Sequence, residues 1–104
     1  MEQRTSVVEP IEVKFNRLVA EWRHNTRYVS ALRKIVMDPS YQAIIAIGKP
    51  MLPLIFRELE ANGGHWFWAL QSITNEHVGN PEDEFETARH AWLNWGREHG
   101  YLCN

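Results

Sequence analysis

The 104-residue chain is 44% hydrophobic and 23% charged, a composition that suits one folded domain with a single core and excludes a disordered chain. The net charge of −2 offers no overall attraction to nucleic acid. The charge is unevenly spread, because residues 1–57 carry nine basic and five acidic side chains and residues 58–104 carry two and eight.

The lone cysteine and the polar N-terminus bear on cellular location. Cys103 cannot form an internal disulfide, so we expect a cytoplasmic protein. The N-terminal segment predicts no signal peptide, and no apolar run reaches the roughly 20 residues that a membrane span requires.

The first predicted helix begins at Pro10, after residues 1–9, which we expect to be a flexible lead-in to a single helical domain of residues 10–104. Apolar side chains recur at intervals of three and four residues towards Met37. They are Ile11, Phe15, Leu18, Trp22, Val29, Leu32 and Val36. The pattern weakens at Asn25-Thr26, so either one long helix continues to Met37 or the chain breaks there. Because no glycine or proline intervenes, the unbroken helix is favoured.

Two short helices are predicted next. Asp38 as N-cap and Pro39 at the first helical position begin one of them, and Gly48 ends it. Pro50 and Pro53 suit only the first turn of the following helix.

Two further helices complete the prediction. One covers residues 65–76. In the last, Asn80 is the N-cap, Pro81 opens the helix and Gly100 ends it. The sequence therefore predicts an all-α bundle of about five helices, in which a long N-terminal helix packs against short antiparallel ones.

The helical periodicity also predicts the core. We expect these side chains to be largely buried: Phe15, Leu18, Trp22, Val29, Leu32, Ile44, Leu52, Ile55, Leu59, Trp66, Leu70, Ile73, Phe85, Trp92 and Trp95.

The short helices carry a resemblance. The segment Ala69–Thr74, ALQSIT, comes before an acidic loop and a Trp-rich closing helix, and this arrangement resembles HEAT-type helical repeats. The resemblance covers roughly residues 38–98, about one and a half repeat units. The string DPSYQAII at Asp38–Ile45, with residues 52–55 and 65–67, also resembles small uncharacterised bacterial proteins. The HEAT resemblance implies protein binding rather than chemistry.

Residues that could carry chemistry are scattered. The five histidines show no i, i+4 pair of the kind that binds zinc on a helix, and Cys103 has no partner. They are His24, His65, His77, His90 and His99. We therefore predict no metal site, no cofactor and no catalytic centre, and the chain is interpreted as a protein that is not an enzyme.

One candidate site is a basic strip. Arg23, Arg27 and Lys34 share one side of the predicted long helix, nearly opposite its apolar stripe. The strip would suit phosphates or an acidic protein partner, although an ordinary solvated face has the same pattern.

The other candidate site is centred on Trp68. This tryptophan points away from the apolar face of its predicted helix, close to Gln71, and Leu54 is a similar outlier on the preceding helix, beside Met51. A large aromatic residue in a polar setting is either covered by another part of the chain or available to a partner. If it is available, Trp68, Leu54, Met51 and Gln71 form a candidate partner-binding surface.

These observations favour a small protein-interaction module. We expect an accessory subunit or antitoxin-like partner of a larger bacterial protein, in a hetero-complex or a homo-oligomer and with no membrane contact. The alternative is a nucleic-acid-associated regulator that uses the basic strip. Acidic neighbours of the strip, such as Glu21, make this alternative the less favoured one.

Overall fold

The computed structural model describes residues 9–80 and 82–102. Within these ranges the chain forms six α-helices and no β-strand, which confirms the predicted all-α bundle. In chain order the helices are α1 (Ile11–Thr26), α2 (Leu32–Val36), α3 (Pro39–Ile47), α4 (Leu52–Asn62), α5 (Phe67–Thr74) and α6 (Phe85–Glu98), and a short 3₁₀ helix (Lys49–Met51) leads into α4. The predicted flexible segment lies outside the described residues apart from Glu9, as do Pro81 and Cys103.

The chain breaks between α1 and α2, so the prediction of one unbroken helix to Met37 is wrong. The break lets α2 fold back beside α1, where the indole N–H of Trp22 donates to the carbonyl of Ile35 at 2.9 Å. A continuous helix would hold these two residues about 20 Å apart at 1.5 Å per residue. Burial of Ile35 and Val36, which are 7% and 2% exposed, stabilises the broken form.

The predicted signals for α3 are confirmed. The carboxylate of Asp38 accepts a hydrogen bond from the Ser40 N–H at 3.0 Å, and Pro39 occupies the first turn. Gly48 and Gly100 follow α3 and α6 with φ angles of +85° and +81°, a left-handed region in which glycine is favoured.

The start of α6 differs from the prediction. The helix begins at Phe85 with Glu84 at the N-cap position, not at Asn80. Asn80 instead closes a turn with Asp83, because its N–H donates to the Asp83 carboxylate at 2.9 Å and its carbonyl accepts from the Asp83 N–H at 3.0 Å. Because the backbone groups of Asn80 and the side chain of Asp83 bond to each other in this turn, they do not cap the first turn of a helix.

An aromatic cluster joins α1, α3 and the start of α5. The rings of Trp22, Tyr41 and Trp66 lie 4.8–5.6 Å apart, and Phe15 stacks on Trp66 at 5.8 Å. All four side chains are buried. Aromatic pairs at such distances stabilise a fold beyond the area that they bury.

A second aromatic cluster joins α4 to α6. The ring of Phe56 lies 6.4 Å from Trp92, 6.0 Å from Trp95 and 5.9 Å from Tyr101. Gly96 allows this close approach, because a Cβ atom there would lie 3.0 Å from the Phe56 ring.

Most of the predicted core is confirmed. Leu32 and Phe85 are the exceptions, since they are 55% and 41% exposed, and Val29, Ile73 and Trp95 are only partly buried. The core also includes side chains that were not among those expected to be buried: Val19, Ile35, Val36, Tyr41, Met51, Leu54, Phe56, Ala69 and Leu93.

Candidate functional site

Helix α5 presents Trp68 on its outer side. Ala69 and Leu70 are completely buried on the inner side, whereas the Trp68 side chain is 46% exposed. Among the described residues, no other part of the chain covers Trp68 completely, and about half of the side chain is available to a partner.

Tyr41 of α3 holds α5 in this orientation. Its hydroxyl donates to the carbonyl of His65 at 2.8 Å and accepts from the N–H of Ala69 at 2.9 Å. Burial raises the pKa of the Tyr41 hydroxyl above its ordinary value and outweighs the opposite effect of the Ala69 N–H. The hydroxyl therefore remains protonated near neutral pH and can keep both bonds.

Helix α2 supplies the other side of the surface. Leu32 and Met37 are 55% and 48% exposed, whereas Val36, which lines the same groove, is buried. Leu32, Val36 and Trp68 line two adjoining grooves of about 390 and 210 Å³. We call the surface formed by these five residues, Leu32, Val36, Met37, Trp68 and Gln71, the Trp68 face.

The predicted companions of Trp68 are divided by the fold. Gln71 lines the smaller groove, as expected for a neighbour of Trp68 on α5. Met51 and Leu54 are 0% and 7% exposed, so their assignment to an exposed partner-binding surface is wrong. Helix α4 has neighbours on more than one side. The side of α4 that carries Leu54 lies close to α1, and the opposite side of α4 packs against α6.

The basic strip is not a continuous surface of one helix. Arg23 forms an ion pair with Glu58, and the Arg27 guanidinium donates to the carbonyl of His24 and lies over the Tyr28 ring. Lys34 belongs to α2, beyond the break. The prediction that Arg23, Arg27 and Lys34 share one helical side is therefore wrong, because it required the unbroken helix.

Sequence reasoning missed Leu32 and Met37 as surface residues. Leu32, Ile35 and Val36 have the i, i+3, i+4 spacing that places three side chains on one side of a helix, so the pattern predicts that Leu32 is buried with the other two. In the structure Ile35 and Val36 are buried while Leu32 is 55% exposed, and no local pattern in the sequence distinguishes Leu32 from the other two.

Other kinds of site receive no support in the described ranges. Among residues 9–80 and 82–102, no group of three or more His, Cys, Asp or Glu side chains could hold a metal ion. In the same part of the chain, no helix is both long and apolar enough to cross a membrane.

Comparison with known proteins gives no match to a family model, a curated protein or a solved structure. The function must therefore be inferred from the physical character of the Trp68 face.

Proposed function

We propose that this chain is a small, non-enzymatic protein-interaction module that binds its partner through the Trp68 face. Its role would be that of an accessory subunit or antitoxin-like partner of a larger bacterial protein in the cytoplasm, and the complex formed through this face is either a hetero-complex or a homo-oligomer. The observation that carries the proposal is the adjacency of three large, half-exposed apolar side chains, Leu32, Met37 and Trp68, around open grooves.

The residue types support a protein partner. Tryptophan dominates many interfaces because it buries a large area at a low cost in side-chain entropy, and methionine adapts to irregular surfaces. Contiguous apolar patches on small proteins commonly mark interaction sites, whereas single exposed apolar residues need no such explanation. The HEAT-type resemblance, which implies protein binding, agrees with this proposal.

Nucleic-acid binding, the alternative, has less support. Arg23 is neutralised in part by Glu58, and Lys34 is on a different helix from Arg23 and Arg27. A phosphate-binding strip should show affinity for DNA or RNA that falls steeply with salt. Filter binding of mixed DNA and RNA at two salt concentrations tests this alternative directly.

Site-specific photo-crosslinking in cells tests the proposed function. A photoreactive phenylalanine analogue placed at Trp68 should give a discrete covalent adduct with protein. The same analogue at Tyr28, an aromatic side chain that is 89% exposed and lines neither groove, is the matched control and should give none. Absence of an adduct at Trp68, or equal adducts at both positions, would overturn the proposal.

A second measurement separates binding from folding. At a protein concentration low enough to keep the chain unbound, Trp68→Ala should change the melting temperature as little as Tyr28→Ala does, since neither side chain belongs to the buried core. A large loss of stability in Trp68→Ala alone would identify Trp68 as a structural residue and remove the proposed binding surface.

A further inference from the structure

The Trp68 face continues across α5 to the start of α6. Phe67 and Gln71 line both the smaller groove beside Trp68 and a third groove of about 210 Å³, which also contacts Asp83 and Trp92. The Phe67 ring packs against Phe85 with a centroid distance of 5.3 Å. The three grooves therefore adjoin one another from α2, past α5, to α6, and we call this row of grooves the trough.

The two ends of this trough carry opposite charges. At the α2 end, Arg33 lines the groove and Lys34 is exposed next to it, and neither has an ion pair among residues 9–80 and 82–102. We call these two residues the basic end.

The opposite end is acidic. Asp83 lines the third groove, and its chain neighbours Glu82 and Glu84 are exposed and form no ion pair within the described part of the chain. Phe85, which follows them, is 41% exposed. We call Glu82 and Glu84 the acidic end. The trough thus has an apolar middle between two ends of opposite sign.

Such a surface is complementary to itself. In a dimer with two-fold symmetry, the same surface of both copies meets, and a residue at one end of the surface faces the other end of the partner copy. The basic end of each copy would then meet the acidic end of the other, and the apolar middles would face one another. A uniformly acidic or uniformly basic partner would leave one end facing a like charge.

We infer that the occupant of the Trp68 face is a second copy of this chain, bound as a two-fold symmetric dimer. This inference rests on the proposed function and specifies its partner. Apolar contact around Trp68 supplies most of the binding free energy, since buried tryptophans are frequent hot spots. The charged ends fix the relative orientation of the two copies and increase the rate of association.

Sedimentation velocity over a range of concentrations tests the dimer. The wild-type chain should show a concentration-dependent equilibrium between monomer and dimer. Trp68→Ala should raise the dissociation constant by about 30-fold, the loss typical of a hot-spot residue. Tyr28→Ala should leave the dissociation constant unchanged.

Charge reversal tests the orientation. One double variant makes the basic end acidic, by Arg33→Glu and Lys34→Glu, and a second makes the acidic end basic, by Glu82→Lys and Glu84→Lys. Each double variant should raise the dissociation constant by about tenfold or more, because like charges then meet at both ends of the dimer interface. An equimolar mixture of the two variants should restore dimerisation, since both contacts become attractive again. Lys49→Glu and Glu98→Lys change exposed charges away from the trough and serve as controls.

The outcomes separate this inference from the proposed function. A chain that is monomeric at every concentration, variants that dimerise like wild type, or a mixture that fails to restore dimers would overturn the symmetric dimer. A monomeric chain whose photoreactive residue 68 still captures a different protein would overturn the dimer and leave the proposed function standing. Adducts formed between two copies would support both.

Discussion

The hydroxyl of Tyr41 takes the place of a helix cap at the start of α5. The N-cap residue Trp66 makes no side-chain capping bond, and Ala69, two residues after the first helical position, receives the Tyr41 oxygen at its N–H instead. A side-chain oxygen at that backbone N–H is what a serine or aspartate N-cap normally supplies. Replacing Tyr41 by phenylalanine removes this cap and keeps the ring that stacks against Trp66.

The expected cost follows from the two bonds of the hydroxyl. The N–H of Ala69, a completely buried residue, would be left without a partner, whereas His65 is exposed and its carbonyl can turn to water. An unsatisfied buried donor costs about 1–3 kcal/mol. Taking about 2 kcal/mol for a domain of roughly 100 residues, Tyr41→Phe should lower Tm by about 8–16 °C.

Thermal unfolding by circular dichroism measures this loss, and Tyr28→Phe is the matched control. Tyr28 is 89% exposed, so removal of its hydroxyl should leave Tm nearly unchanged. Hydrogen exchange should also accelerate at the amide of Ala69 in Tyr41→Phe. If the two phenylalanine variants melt together, the hydroxyl of Tyr41 does not cap α5 and the reasoning is refuted.

The same side chain predicts a dependence on alkaline pH. Burial raises the pKa of Tyr41 in the folded protein above the value of about 10 that an unfolded tyrosine has. Its contribution to stability is therefore complete below about pH 10 and is lost as the pH rises from there toward the folded pKa, with a slope of about 1.4 kcal/mol per pH unit. Urea unfolding between neutral pH and pH 11 should show a shallower alkaline decline for Tyr41→Phe than for wild type. Parallel declines would contradict the assignment.

Three further substitutions test the packing. Gly96→Ala should destabilise the protein despite the better helix propensity of alanine, because the new Cβ would lie 3.0 Å from the enclosed Phe56 ring. The control Asn94→Ala, at an exposed position of the same helix, should not destabilise it. A Gly96→Ala variant more stable than wild type would show that the Phe56 ring can move. Asp38→Ala should cost about 1 kcal/mol in denaturant unfolding through loss of the α3 cap, and Asp38→Asn should recover most of it. Trp92→Ala should cost roughly 3–5 kcal/mol, a large part of the roughly 5–15 kcal/mol that stabilises a typical domain. A melting point within a few degrees of wild type would show that α6 does not dock on α4 through this residue.

The sequence by itself determined the helical class and several helix ends. The cap at Asp38, the proline after it and the glycine stops at Gly48 and Gly100 act through local backbone chemistry, which the residues carry wherever the chain goes. The apolar periodicity also predicted the inner sides of the helices well, as at Trp22 and Ile55.

Only the tertiary structure decided where α1 ends and how α5 begins. The break after Thr26 needs no glycine or proline, because it is stabilised by contacts between α1 and α2 such as that of Trp22 with Ile35. Likewise, Tyr41 caps a helix more than 20 residues further along the chain. Interactions between distant residues have no local signature, so helix patterns cannot predict them.

The candidate site shows the same limit most clearly. Leu32 was predicted to be buried and is exposed, while Leu54 was predicted to be exposed and is buried. A helical pattern states which side chains share a side of a helix, but not which sides a neighbour covers. Helix α4 is covered on more than one side, whereas Leu32 on the outer side of α2 stays 55% exposed among the described residues. The position of the Trp68 face is therefore a consequence of helix packing, which the order of the residues does not reveal.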